Sequence, residues 1–177
     1  PHSVPGSLRA ATWPVISNDG RYEAMNPAAL LVMVNAAFAK DAASLPGITL
    51  RGGDALDGYE DPPPFDPALD EVTDTYLEGY SGGLTFLDAA SWRHYLPHLI
   101  GYAVLGFGQF TDVGDALLHS LRPPDREPPR LASLTSEQER AVTAFLELLA
   151  FSESSTHHAF ACQVLEEWWI PGALYRK

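Results

Sequence analysis

Cysteine is almost missing from this sequence: Cys162 stands alone in 177 residues. No intrachain disulfide can form, which fits a reducing compartment such as the cytoplasm. Basic side chains are scarce too, with 11 Lys and Arg against 23 Asp and Glu and a net charge of −12. Nucleic-acid phosphates are gripped by Lys and Arg, so nucleic-acid binding is not expected as the main task. A basic partner, metal ions or plain solubility are what such a charge suits. No apolar run approaches the ~20 residues a membrane helix needs, so no membrane association is expected. No basic region followed by an apolar segment opens the sequence, and an export signal is not expected in it. Nucleotide loops are lacking as well. Gly106-Phe107-Gly108 has neither the lysine nor the spacing of a P-loop, and no G-x-S-x-G occurs.

What is present is a chain apolar enough, at 46% hydrophobic residues, to bury one core. Residues 1–20 carry Pro5, Gly6 and Pro14 with little periodicity and read as a surface arm anchored by Trp13 and Val15. Residues 21–177 read as a single helical domain. Asn26-Pro27 suits a helix start. The segment after it is apolar nearly all round, which predicts a central helix with Asn35 hydrogen-bonded inside the core. Ile48-Thr49-Leu50 reads as a short strand, with Gly52-Gly53 as the turn after it. Asp66-Pro67 reads as the start of the next helix, carrying Leu69, Val72, Tyr76 and Leu77 inward. Residues 84–108 are the organising stretch: Asp88 as cap, then Trp92, Tyr95, Leu96, Leu99, Ile100 and Ala103 at helical spacing. Pro97 inside that pattern predicts a kink or a restart. Thr111 or Asp112 caps a short helix, and the proline-rich residues 122–130 read as a connector. Thr135 with Gln138 forms a capping box ahead of a helix that buries Ala141, Val142, Phe145, Leu148 and Leu149. A last helix over 157–170 is expected to turn Phe160, Val164, Leu165 and Trp168 inward. The fold expected is mainly α, five or six helices with at most a short strand pair.

The strongest chemical signal is acidic. Between Gly52 and Trp92 there is no Lys, Arg or His, and Asp54, Asp57, Glu60, Asp61, Asp70, Glu71, Asp74 and Glu78 fall in that span. On a helix starting at Pro67, Asp70, Asp74 and Glu78 would lie four apart on one face, where like charges repel by roughly 0.2–0.5 kcal/mol a pair. Stability alone would favour interleaved lysines, so the pattern points to a face that meets a cationic partner. Asp54, Asp57, Glu60 and Asp61 are also hard oxygen ligands, but their order does not follow a calcium-loop rule. His94 and His98, four apart, have the spacing of a zinc pair, although Tyr95 stands where a zincin has glutamate. His158, Cys162 and Glu166 share a helix edge but bring no oxyanion pocket, so a buried thiol is the plainer reading. For Trp168-Trp169, one core ring and one partly exposed ring are expected.

Two segments, LTFLDAASWRHYLPHLI at 84–100 and LASLTSEQERAVTAFLELL at 131–149, are joined by a helix ending in Leu117, Leu118, His119, Ser120, Leu121, Arg122 and Pro123. Together they resemble an uncharacterised bacterial domain-of-unknown-function family, through the Tyr95-Leu96-Pro97 core and the Leu134-Thr135-x-Glu137-Gln138 helix start. The resemblance covers about residues 67–150. Ser136 stands where proline is common in that family, and His98 where a small residue is common. The shared residues are apolar and capping ones, so the resemblance implies a fold and carries over no catalytic residue.

These readings converge on a small non-catalytic, cofactor-free acidic protein of the immunity or antitoxin-inhibitor type. It would hold a basic protein partner on the face from Asp54 to Glu78. A metal-dependent hydrolase using His94, His98 and nearby carboxylates is the alternative. A self-associating adaptor built on an exposed Trp169 and the apolar first helix is a third reading.

Overall fold

Seven α-helices supply most of the regular structure in residues 25–176, the part of the chain that this computed structural model describes. They are α1 (Pro27–Ala42), α2 (Leu50–Asp57), α3 (Asp74–Tyr80), α4 (Ala89–Leu105), α5 (Asp112–Ser120), α6 (Ser136–Phe151) and α7 (His158–Val164). Short 3-10 turns stand at Ser81–Phe86 and Leu131–Ser133, and a π-helical turn at Leu165–Trp169. The surface arm expected over residues 1–20, with Trp13 and Val15, lies outside the described residues.

The fold is built around α4. Asp88 caps it by accepting from the amides of Ala90 and Ser91 at 2.8 and 2.9 Å. Trp92, Tyr95, Leu96, Leu99 and Ile100 are then fully buried, the spacing of a helix packed on more than one side. The helix runs from Ala89 to Leu105 through Pro97 without a restart. Pro97 removes one helical donor, and the buried apolar residues on either side hold the turn in place. α1 packs on α4 and α6, α5 on α4, and α7 on α6. All seven helices contribute to one continuous apolar core. The capping box at Thr135 and Gln138 is formed, and the Gln138 side-chain amide also donates to the Asp41 carboxylate at 2.7 Å. Asp41 accepts from Arg93 as well, at 2.9 Å, so one carboxylate ties α1, α4 and α6 together.

Several sequence expectations are corrected. α1 is not central: Leu30, Val34 and Phe38 are buried, whereas Val32 is 71% exposed and Asn35 is exposed, not bonded in the core. Its outer face is largely alanine, and leaving so little apolar area in water costs little. No strand occurs among the described residues. Thr49 is the cap of α2, and Gly52-Gly53 are helical, not a turn. The pattern misleads there because the glycines serve a close approach. A Cβ on Gly53 would overlap the Gly83 carbonyl oxygen, and one on Gly83 would overlap that of Leu50, so α2 and the 81–86 turn meet backbone to backbone. Asp66-Pro67 opens only a single turn, closed by Asp70 N to Asp66 O at 2.8 Å. α3 begins later, capped by Thr73, and Leu69 is 58% exposed, not inward. At the other end, α7 passes into the π-helical turn. The wider turn breaks the α spacing that would carry Trp168 inward after Phe160 and Val164. Trp169 is the buried ring instead, donating to the Leu121 carbonyl at 2.9 Å, and Trp168 is half-buried. The exposed Trp169 required by the self-association reading is therefore absent.

Candidate functional site

The acidic span divides into one buried carboxylate and a set of exposed ones. Asp70 lies before α3, not on it, and its side chain is wholly buried. It accepts from Arg51 Nε at 3.0 Å, Arg51 Nη2 at 2.8 Å, the Asp66 amide at 2.8 Å and the Tyr76 hydroxyl at 3.2 Å. Burial opposes its charge, but the Arg51 guanidinium and these donors together hold the carboxyl below the usual Asp range. Tyr76 and Tyr95 hydroxyls lie 3.4 Å apart behind it, and burial raises both phenols. The expected ladder Asp70, Asp74, Glu78 on one helix face is therefore not formed. Asp74 and Glu78 do sit four apart on α3, and the Tyr102 hydroxyl donates to Glu78 at 2.6 Å, a bond that pushes Tyr102 up to about 12.

The remaining carboxylates, Asp54, Asp57, Glu60, Asp61, Glu71, Asp74 and Glu78, are all exposed. Among the first four stands Tyr59, a residue that sequence reading passed over. Its side chain is 100% exposed and its backbone has φ 61°. The geometry is a Schellman closure of α2, with the Glu60 amide bonded to the Ala55 carbonyl at 2.9 Å and the Tyr59 amide to that of Leu56 at 3.1 Å. Glycine normally fills the left-handed position of this motif, yet here Gly58 precedes it and tyrosine occupies it. The sequence signal was present: a Gly-Tyr pair in the order opposite to what the helix end prefers. Exposed Leu69 and half-buried Tyr80 line a shallow groove of about 460 Å³ bordered by Glu71.

The other candidates separate. His94 and His98 rings lie 6.0 Å apart, and His94 Nδ1–H donates to the Asp41 carbonyl at 3.2 Å. Burial, with His94 beside it, lowers the His98 pKa. Among the described residues no group of three or more His, Cys, Asp or Glu is placed to hold a metal ion. The Asp41 carboxylate beside them is engaged by Arg93 and Gln138. Cys162 Sγ faces the Ala150 carbonyl at 3.7 Å, while His158 and Glu166 are exposed.

A second concave site lies where only a connector was expected. The loop after α5 encloses a cavity of about 550 Å³ lined by Thr85, His119, Arg122, Arg126 and Arg130, with Asp125 at its edge. The Asp125 carboxylate folds the loop by accepting from four backbone amides, those of Arg126, Arg130, Leu131 and Ala132, at 2.7–2.9 Å. Three of the chain's 11 basic residues thus fall at four-residue spacing in RPPDREPPR, the signal that the prolines masked.

Taken together these features define an all-helical protein with an acidic, tyrosine-tipped face and a separate arginine-lined cavity. Residues 26–173 match the family described as "Family of unknown function (DUF6714)", and the chain belongs to that family. The match extends on both sides of the segment on which the sequence resemblance rested. No curated protein and no solved structure matches. Among the described residues no helix is long and apolar enough to cross a membrane.

Proposed function

We propose that this protein is a non-catalytic binding protein that takes a basic protein partner on the face from Asp54 to Glu78, in the manner of an immunity or antitoxin-type inhibitor. The observation that carries the reading is Tyr59. An L-residue in the left-handed region costs on the order of 1–3 kcal/mol, and such strain gathers where a site needs it. Here the strain presents a bare aromatic ring amid Asp54, Asp57, Glu60 and Asp61. Tyrosine is a preferred interface anchor, since it offers large rigid area at small entropic cost. The surrounding carboxylates supply the charged rim that steers a cationic partner and rejects acidic ones. Arg51 neutralises only the buried Asp70, and Arg93, Arg122, Arg140 and Arg176 are each paired with a carboxylate outside this span, so the exposed acids keep their charge. Function would follow from occlusion of the partner's own site.

The test is capture from host lysate followed against salt, with wild type beside the triple variant Asp57→Lys, Glu71→Lys, Asp74→Lys. One basic protein retained at low salt, released as salt rises and lost in the triple variant is the expected result. Retention of that protein by the triple variant would refute the assignment.

A further inference from the structure

We propose that the cavity behind the 122–131 loop is a binding site for a small phosphate-bearing molecule, its phosphate held by Arg130 and Arg126. Arg130 is only 3% exposed, and its Nε is buried without a hydrogen-bond partner. Its Nη2 donates to the carbonyls of Thr85, at 3.0 Å, and Leu87. Those neutral partners position the guanidinium without matching its charge; Asp88 and Asp125 act on it only from beyond ion-pair distance. A buried cation without a contacting counter-ion is unfavourable. Burial, with Arg126 nearby, pulls Arg130 down to about 10 against the opposing attraction of Asp88 and Asp125. An anion in the cavity would reverse that penalty.

The neighbours favour a phosphate over a carboxylate. Of the two acids that act on Arg130, Asp125 accepts from four backbone amides and holds the loop, and Asp88 caps α4. Arg122 shows what a carboxylate does here: Glu167 takes its fork in two bonds of 2.6 Å and satisfies one arginine from one side. Arg126 and Arg130 both line the cavity and repel each other, one exposed with no side-chain partner and one buried. A tetrahedral dianion accepts from several directions at once and bridges separate guanidinium groups, which a planar carboxylate does less well. The cavity lies within the size range of small-molecule sites, leaving room for an organic body beyond the phosphate against Pro123, Pro124 and Leu131. The site does not depend on the acidic face, and its test is separate.

The experiment uses the full chain with inorganic phosphate as probe, read by thermal unfolding at constant ionic strength, with acetate and chloride as the other arms. Phosphate should raise Tm by several degrees once it stands about 20-fold above its Kd, and acetate and chloride should not. Arg126→Gln removes an exposed side chain that makes no bond, so the fold is kept and phosphate binding should weaken by about tenfold. Arg130→Lys, which keeps the charge but loses the fork, should weaken it too. A phosphate response equal to that of acetate or chloride, or one unchanged in Arg126→Gln, would overturn the proposal.

Discussion

Replacing Tyr59 with glycine should make the protein more stable while it destroys partner binding. The side chain is fully exposed, so its removal forfeits no packing. What changes is the backbone term. A non-glycine residue in the left-handed region costs roughly 1–2 kcal/mol. Glycine returns part of that gain through the larger entropy of its unfolded chain, roughly 0.5–1 kcal/mol. The net expectation is stabilisation of about 0.5–1 kcal/mol, or a Tm higher by about 2–3 °C for a domain of this size. Tyr59→Ala is the internal control: it removes the same ring but keeps the same φ, so stability should stay within about 0.5 kcal/mol of wild type. Urea midpoints at constant slope measure both. Both variants should lose the basic partner, and only glycine should gain stability. A glycine variant less stable than the alanine one would mean that the backbone at 59 is not strained and would remove the structural argument for an anchor.

Other outcomes follow from the same structure. Asp70→Asn leaves Arg51 facing an amide and removes acceptors from a buried cluster, at a cost of about 3 kcal/mol, whereas Asp74→Lys at an exposed site should be near neutral; paired denaturation curves compare them. Gly53→Ala drives a methyl into the Gly83 carbonyl and should destabilise by about 2–3 kcal/mol, read by the same curves. Stability should fall in two stages on acidification. His98 and His157 are held below the ordinary His value by burial, so the unfolded chain takes up protons first, and stability declines as pH drops below about 6.5. Asp70, Asp88 and Glu167 are lowered by their donors, so their contribution is full above about pH 5 and is lost as pH falls through their folded values. A pH series of thermal midpoints with a single acid limb would contradict the first stage, and His98→Gln should shrink it.

What the sequence disclosed and what it hid follow the range of the interactions involved. The Thr135–Gln138 box and the Asp88 cap are satisfied within three residues, so a local pattern suffices to read them. The buried stripes of α4 and α6 were legible for the same reason, being periodic. α2 was missed because Gly53 answers to Gly83, thirty positions away in a turn whose approach no local rule encodes. Asp70 reads locally as one of a row of carboxylates because its partner, Arg51, sits just outside the acidic span, nineteen residues back. Arg130 was invisible for a similar reason: the carbonyls that fix it belong to Thr85 and Leu87, more than forty residues upstream. Local chemistry fixes helices; the division of charges into structural and available ones is set by tertiary pairing.

That division gives the partner-binding reading a kinetic signature which a merely solvated acidic surface would not show. Exposed rim charges act mainly on encounter, because their field extends over a Debye length of about 8–10 Å and is screened by salt. A desolvated aromatic anchor acts mainly after encounter, through the rate of release. Charge reversal at Asp57 and Glu71, both exposed, should therefore slow association with the captured partner and flatten its salt dependence while the dissociation rate changes little. Tyr59→Ala should do the opposite, raising the dissociation rate by ten-fold or more, since a hot-spot side chain contributes about 2 kcal/mol, and leaving association near its original value. Surface-plasmon kinetics over a salt series separates the two. If both variants slow association alone, the ring is part of the acidic field's surroundings and not an anchor, and the position of Tyr59 at the end of α2 would have to be explained by the fold.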